Sequence, residues 1–344
     1  MKKSEPSLKE LKTLYEAATA FRKIEPWEWM KETDIFGIQN PQTGEVGYCC
    51  IIGEMGDVLA IAIYLGTEGL EGYLKIRRGQ IQPDSPDSLF IQNCLMLSFE
   101  SRKSLQQEDR EIISELGLKF RGRNAWPVLR RYEPGYFPWF LNRDEVIYMT
   151  NALQQATDIC LRLKKDAKFF RGPDKNQYMV RVAEEKNNMI FWKDEWRKPS
   201  PPEKRDQGFN KPVDEVRMQR LKKTAQSTPA IWEIDFFYAP TPVLQGERPF
   251  FPYAIMILDH DTGFILDMHL AETRLYQEEF LETFLNYIDQ TAVIPLEILI
   301  SKEEGMKLFE PCAARLNIKL SKVKRLHNID HARREIGKHL KHFR

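Results

Sequence analysis

At 344 residues, with 42% hydrophobic and 29% charged side chains, the chain is too long for one ordinary core and suits two domains of roughly 150 residues. A net charge of +1 gives no global pull toward nucleic acid or membrane, so any basic surface must be local. Five cysteines without C-x-x-C spacing (Cys49, Cys50, Cys94, Cys160 and Cys312) read as reduced core thiols. No apolar run approaches the roughly 20 residues of a membrane span, and the N-terminus reads as an amphipathic helix rather than a signal core. A cytoplasmic protein without a membrane partner is expected.

Ser7-x-x-Glu10 is a capping box, and Leu8, Leu11, Tyr15, Ala18 and Phe21 predict a one-faced helix over 8–23. Strands follow at 34–40, 46–53 and 58–65, the first two joined by a turn ending in Gly44, which makes a meander. A short helix at 67–78, an apolar strand at 89–99 and a helix at 105–116 lead into an aromatic and basic stretch. Asn142-x-x-Glu145 then caps a long helix, and strands are expected at 177–184 and 188–193. Residues 198–212, rich in proline and poor in apolar side chains, form the best linker. The expected division is therefore 1–197, a linker over 198–212, and 213–344.

After the linker the pattern predicts a helix at 213–225, strands at 231–238, 252–259 and 264–271, a helix at 274–290, a strand at 296–300, a helix capped by Ser301-x-x-Glu304, a strand at 318–323 and a basic C-terminal helix. The fold class is α+β, each domain being a mixed sheet begun by a three-strand antiparallel meander with helices packed on it. Residues 8–121 run in a comparable element order, so a diverged duplication is one reading and shared turn chemistry another.

The segments Leu14-Tyr-Glu-Ala-Ala, Trp27-Glu-Trp-Met, Asp34-Ile-Phe-Gly-Ile-Gln-Asn-Pro and Tyr64-Leu-Gly-Thr-Glu-Gly-Leu resemble a bacterial domain family of unknown function. Trp232-Glu-Ile-Asp-Phe-Phe to His269-Leu-Ala-Glu resembles a second one found fused to it. Neither resemblance carries a catalytic residue across. The element order of the C-terminal domain is similar to the ribonuclease-H-like fold of integrase and transposase cores.

That likeness makes an acidic set the sharpest catalytic candidate: Asp235 in the first strand, Asp259 (with Asp261) at the hairpin, Asp267 in the third strand, and Glu278 (with Glu279 and Glu282) on the next helix. Such enzymes gather carboxylates from several elements around two divalent metals, here Mg²⁺ or Mn²⁺. Asp235 stands where the first ligand would be, but Ser301 stands where the next aspartate is expected, and Glu304 gives that serine a capping role. Surface and capping carboxylates are the competing reading.

The binding candidate is Arg121, Arg123, Trp126, Arg130, Arg131 and Trp139, within a run of alternating cations and rings at 119–143. Stacking rings among cations suit single-stranded nucleic acid or another polyanion, and the competing reading is aromatics packed inward with arginines snorkelling out. His327 and His331, at i, i+4, lack a third ligand at motif spacing, and the helix carrying them reads as a solvated basic face. No Walker loop, G-x-S-x-G elbow or zinc knuckle is present, and no cofactor is expected. The sequence supports a non-catalytic binding or adaptor protein, and as its alternative a metal-dependent nuclease or nucleotidyl-transfer enzyme centred on Asp235.

Overall fold

A computed structural model describes residues 4–54, 56, 58–81, 86–166, 172–174, 176–187, 189–201, 213–244, 246–272 and 276–341. The chain divides into two compact units, residues 1–134 with 138–203, and residues 135–137 with 204–344. Most of the expected linker, 202–212, lies outside the described residues.

The first unit contains α1 (Leu8–Ile24), β1 (Phe36–Gln39), β2 (Val46–Ile52), β3 (Leu59–Leu65), α2 (Gly66–Arg77), α3 (Pro86–Ile91), β4 (Cys94–Glu100), α4 (Gln107–Glu115), β5 (Trp126–Tyr132), α5 (Arg143–Lys165), β6 (Tyr178–Lys186) and β7 (Met189–Arg197). Both capping boxes read from the sequence form, Ser7 with Glu10 and Asn142 with Glu145. Two departures stand out. The first three residues of the strand expected at 89–99 are helical, and the basic aromatic stretch contains β5, whose apolar and charged residues do not alternate cleanly enough to announce a strand.

The seven strands run in the order β5-β4-β3-β2-β1-β6-β7. β1 to β5 pair antiparallel in sequence, β6 pairs parallel with β1 through Gly37↔Val180 and Ile38↔Arg181, and β7 folds back antiparallel on β6. Gly37 sits at the crowded junction, where a Cβ would come within 2.8 Å of Val46 and 2.9 Å of Val180, closer than packed atoms tolerate. α1 and α5 cover one face, burying Phe21, Met149, Leu153 and Ala156 against Phe36, Ile38, Ile61 and Leu97. α2 lies on the other with Tyr48, Cys50, Tyr64, Leu70 and Tyr73.

The second unit contains α6 (Glu215–Thr224), β8 (Gln226–Ser227), β9 (Ile231–Tyr238), β10 (Tyr253–Asp259), β11 (Ile265–Ala271), α7 (Tyr276–Thr291), β12 (Val293–Ile294), β13 (Glu297–Ile300), α8 (Glu303–Leu316), β14 (Lys319–Lys322) and α9 (His327–Lys341). Its five-stranded sheet has the order β11-β10-β9-β13-β14. The meander β9-β10-β11 is antiparallel, and β13 joins β9 and β14 joins β13 in parallel. This is the mixed sheet that the element order predicts. The comparable order of residues 8–121 does not carry over, because β4 pairs antiparallel outside β3 while β13 pairs parallel with the first strand of its meander. Chain order alone cannot distinguish those two placements.

Period-two alternation in β9 sorts its residues onto the two faces of the sheet. Trp232, Ile234 and Phe236 enter a core with α7 and α8, where the Phe236 ring lies 5.0 Å from Phe280 and 6.0 Å from Phe309. Glu233, Asp235 and Phe237 face the other way. α9 and the residue before it cover that face, packing Ile329 and Leu326 against Phe237, Ala254, Met256 and Leu258. The expectation of a solvated basic helix is therefore corrected: Leu326, Ile329, Ala332 and Ile336 are an apolar stripe that its charge-rich composition concealed. Among the described residues no helix is long and apolar enough to cross a membrane.

Candidate functional site

Asp235 and Glu233 are the carboxylates buried beneath α9, with 7% and 2% of their surface exposed. Buried carboxylates need partners, and the two obtain them differently. Glu233 accepts from His260 Nδ1 at 2.7 Å, from Asn328 Nδ2 at 3.3 Å and from the backbone N–H of Ile329 at 3.4 Å. Asn328 also reaches the His260 carbonyl at 2.8 Å. This network ties the first turn of α9 to the end of β10.

Asp235 is held by longer contacts. The parallel register Ile234↔Ile300 brings the next residue of each strand side by side, and Ser301 Oγ lies 3.4 Å from Asp235 Oδ1. Lys302 Nζ is 3.5 Å from the same oxygen and donates to the Phe236 carbonyl. From α9, Arg333 stands 4.0 Å from Oδ2 while its guanidinium covers the Phe237 ring at 4.5 Å. The Phe237 ring, on the same face as two acids, is thus the platform for the arginine.

Ser301 and Glu304 do not form the capping box expected of them. α8 starts later, with Lys302 at its N-cap and no side-chain cap, so the Ser301 hydroxyl is turned to Asp235. Glu304 accepts from Tyr253 Oη at 2.5 Å. Burial, reinforced by the Glu304 charge, pushes the Tyr253 phenol far above its ordinary range.

The other acids of the expected set lie elsewhere. Cross-strand partners share a sheet face, and Asp235 pairs with Met256 on the α9 face. Asp267 pairs with Ile257 and Asp259 with Trp232, both on the α7 face, and Glu278 is in the first turn of α7. Burial together with the charges of Asp267 and Asp259 raises the Tyr287 phenol, which fits that placement. Asp259 accepts from the backbone N–H and hydroxyl of Thr262 at 2.9 and 2.7 Å, closing the hairpin turn. Among the described residues no group of three His, Cys, Asp or Glu side chains is placed to hold a metal. The donor set at Asp235 does not fit a divalent pair either: a hydroxyl and two cations surround one carboxylate, where metal chemistry needs converging anions.

The residues of the basic aromatic run separate into two groups. Arg130 is buried and makes a bidentate pair with Asp109, at 2.8 and 2.6 Å, while lying 4.4 Å over the Phe140 ring. Arg131 bonds Asn93 Oδ1 at 2.6 Å and pairs with Glu145 at 3.3 Å. Trp126 stacks edge-on with Phe120 and Trp139 with Phe140. Arg121 and Arg123 are exposed. Sequence reasoning missed Asp109, although the spacing Gln106-x-x-Asp109 announces its capping bond to the Gln106 N–H at 3.0 Å.

Among the solved structures that match the chain are two of the HTLV-2 integrase catalytic core domain in complex with magnesium, in its dimeric and trimeric forms. Each is 16% identical with a TM-score of 0.26; they cover 33% and 35% of this chain and 72% and 74% of their own. No curated protein matches the sequence. The models of two domains of unknown function match side by side, DUF7309 over residues 12–181 and DUF6930 over residues 217–337. The chain is a fusion of these two domain families.

Proposed function

We propose that this chain is a non-catalytic binding or adaptor protein. One observation carries the reading: where the ends of β9 and β13 meet, Asp235 is faced by Ser301, Lys302 and Arg333 and covered by α9. Lysine and arginine neutralise the one buried acid that a metal would need, and the remaining acids of the set lie on the other face of the sheet. Five free thiols, all buried, support a reducing compartment such as the cytoplasm. Arg121 and Arg123 are the arginines of the basic run left for a local polyanion, since Arg130 and Arg131 are engaged inside the unit.

The test is incubation of the full chain with Mg²⁺ or Mn²⁺ and single- or double-stranded nucleic acid. No cleavage is expected. Cleavage that disappears in Asp235→Asn overturns the reading in favour of the metal-dependent nuclease. If the exposed pair contacts phosphates, Arg121→Ser with Arg123→Ser lowers the salt dependence of single-strand binding by up to about two contacts' worth.

A further inference from the structure

Among the described residues β11 pairs only with β10, so one edge of the second unit's sheet is open. An open edge is a template for another strand, and proteins ordinarily blunt it. This one is only partly blunted: a bulge displaces Leu266, but Met268 and Leu270 remain 44% and 48% exposed. Both sit on the α9 face, opposite Met256 and Ala254, at a position that α9 leaves uncovered. Ile265, 38% exposed and opposite Leu258, extends the apolar stripe on that face.

The order of residues along the strand says what fits there. An antiparallel pair of identical strands is related by a two-fold axis, so the sequence must complement its own reversal. Centred on Met268, Asp267 faces His269 of the second copy on both sides of the axis. Shifting the centre to residue 267 places Asp267 opposite Asp267, and like charges directly opposite are unfavourable, while shifting it to residue 269 sets Asp267 opposite Ala271 and takes His269 away from it. Charge therefore selects one register. In the single chain Asp267 Oδ1 accepts from the Met268 N–H at 2.8 Å, and His269 Nε2 bonds Glu279 Oε2 at 2.7 Å. Pairing hands the Met268 amide to the opposing strand and frees Asp267 for His269 Nδ1, whose ring Glu279 already holds in place.

We propose that the protein forms a symmetric dimer by antiparallel pairing of β11 with β11 of a second copy, centred on Met268. The inference does not depend on the binding or adaptor reading. The decisive experiment is site-specific oxidation of the full chain. The axis sets residue 268 about 4.5–5.5 Å from its mate between Cα atoms, within disulfide reach, and residue 270 about 13 Å from its own. Met268→Cys is expected to run as a disulfide-linked dimer and Leu270→Cys as a monomer, with the five native thiols silent because they are buried. Light scattering is expected to give twice the monomer mass for the wild type and a loss of the dimer in Met268→Lys, a change at an exposed site that leaves the thermal midpoint in place. A monomeric wild type overturns the proposal. So does a dimer unaffected by Met268→Lys, or equal cross-linking of both cysteine variants.

Discussion

Each unit buries an aspartate beside an arginine, and the two pairs differ in every other respect. In the first unit Asp109 and Arg130 meet in a bidentate pair at 2.6–2.8 Å, with side chains 3% and 9% exposed. In the second, Asp235 collects one hydroxyl and two cations at 3.4–4.0 Å. A fork geometry that saturates both ions is a structural joint, and removing one partner strands the other. A carboxylate surrounded at longer range has spare acceptor capacity, so its loss strands nothing.

The largest expected effect follows from that contrast. Asp109→Ala should cost about 3–5 kcal/mol, because it leaves a buried guanidinium unpaired and removes the bond to the Gln106 N–H. Chemical unfolding measures it, and replacing both partners by apolar residues, Asp109→Leu with Arg130→Met, should recover most of the loss. A double variant as unstable as the single one would mean that the charge pair itself, not its stranded half, holds β5 to α4.

Glu233→Ala comes next, at about 1–3 kcal/mol, since His260, Asn328 and the Ile329 amide all lose their acceptor. Hydrogen exchange should show the loss first in α9, which this carboxylate ties down. Asp235→Asn should change stability by under about 1 kcal/mol, because the amide oxygen still accepts from Ser301 and Lys302 keeps its bond to the Phe236 carbonyl. A loss as large as that of Asp109 would erase the distinction between the two sites.

The smallest effect is at the surface. Glu10 is held down to about 2 from its ordinary 4.5, first by the Ser7 backbone N–H and then by the Ser7 hydroxyl and Arg143. A depressed carboxylate contributes stability above its unfolded value and loses it as the pH falls through the folded one. Thermal midpoints of Glu10→Gln and wild type should therefore differ above pH 4.5 and converge as the pH drops toward 2.

Much of this architecture was legible because it is written in local spacing. The strand at 231–238 and the capping boxes at Ser7 and Asn142 follow from period-two alternation and from a three-residue separation, and the structure places them there. The same locality explains two misreadings. Ser301-x-x-Glu304 satisfies the capping spacing, yet each side chain has a better partner far away in sequence, Asp235 and Tyr253. α9 carries both a charged face and an apolar stripe, and composition weighs only the first.

The residues by themselves determined most of the order of helices and strands and the face of β9 on which Asp235 lies, because each depends on neighbours a few positions apart, and the chain length set its two-unit scale. Tertiary structure alone decided that β6 joins β1 in parallel, that α9 closes over Asp235, and that Asp259 and Asp267 stand on the opposite face from it. Those outcomes depend on the register between strands distant in sequence and on which helix buries its stripe against which sheet. That choice is made by the free energy of the whole packed arrangement and leaves no periodic mark along the chain.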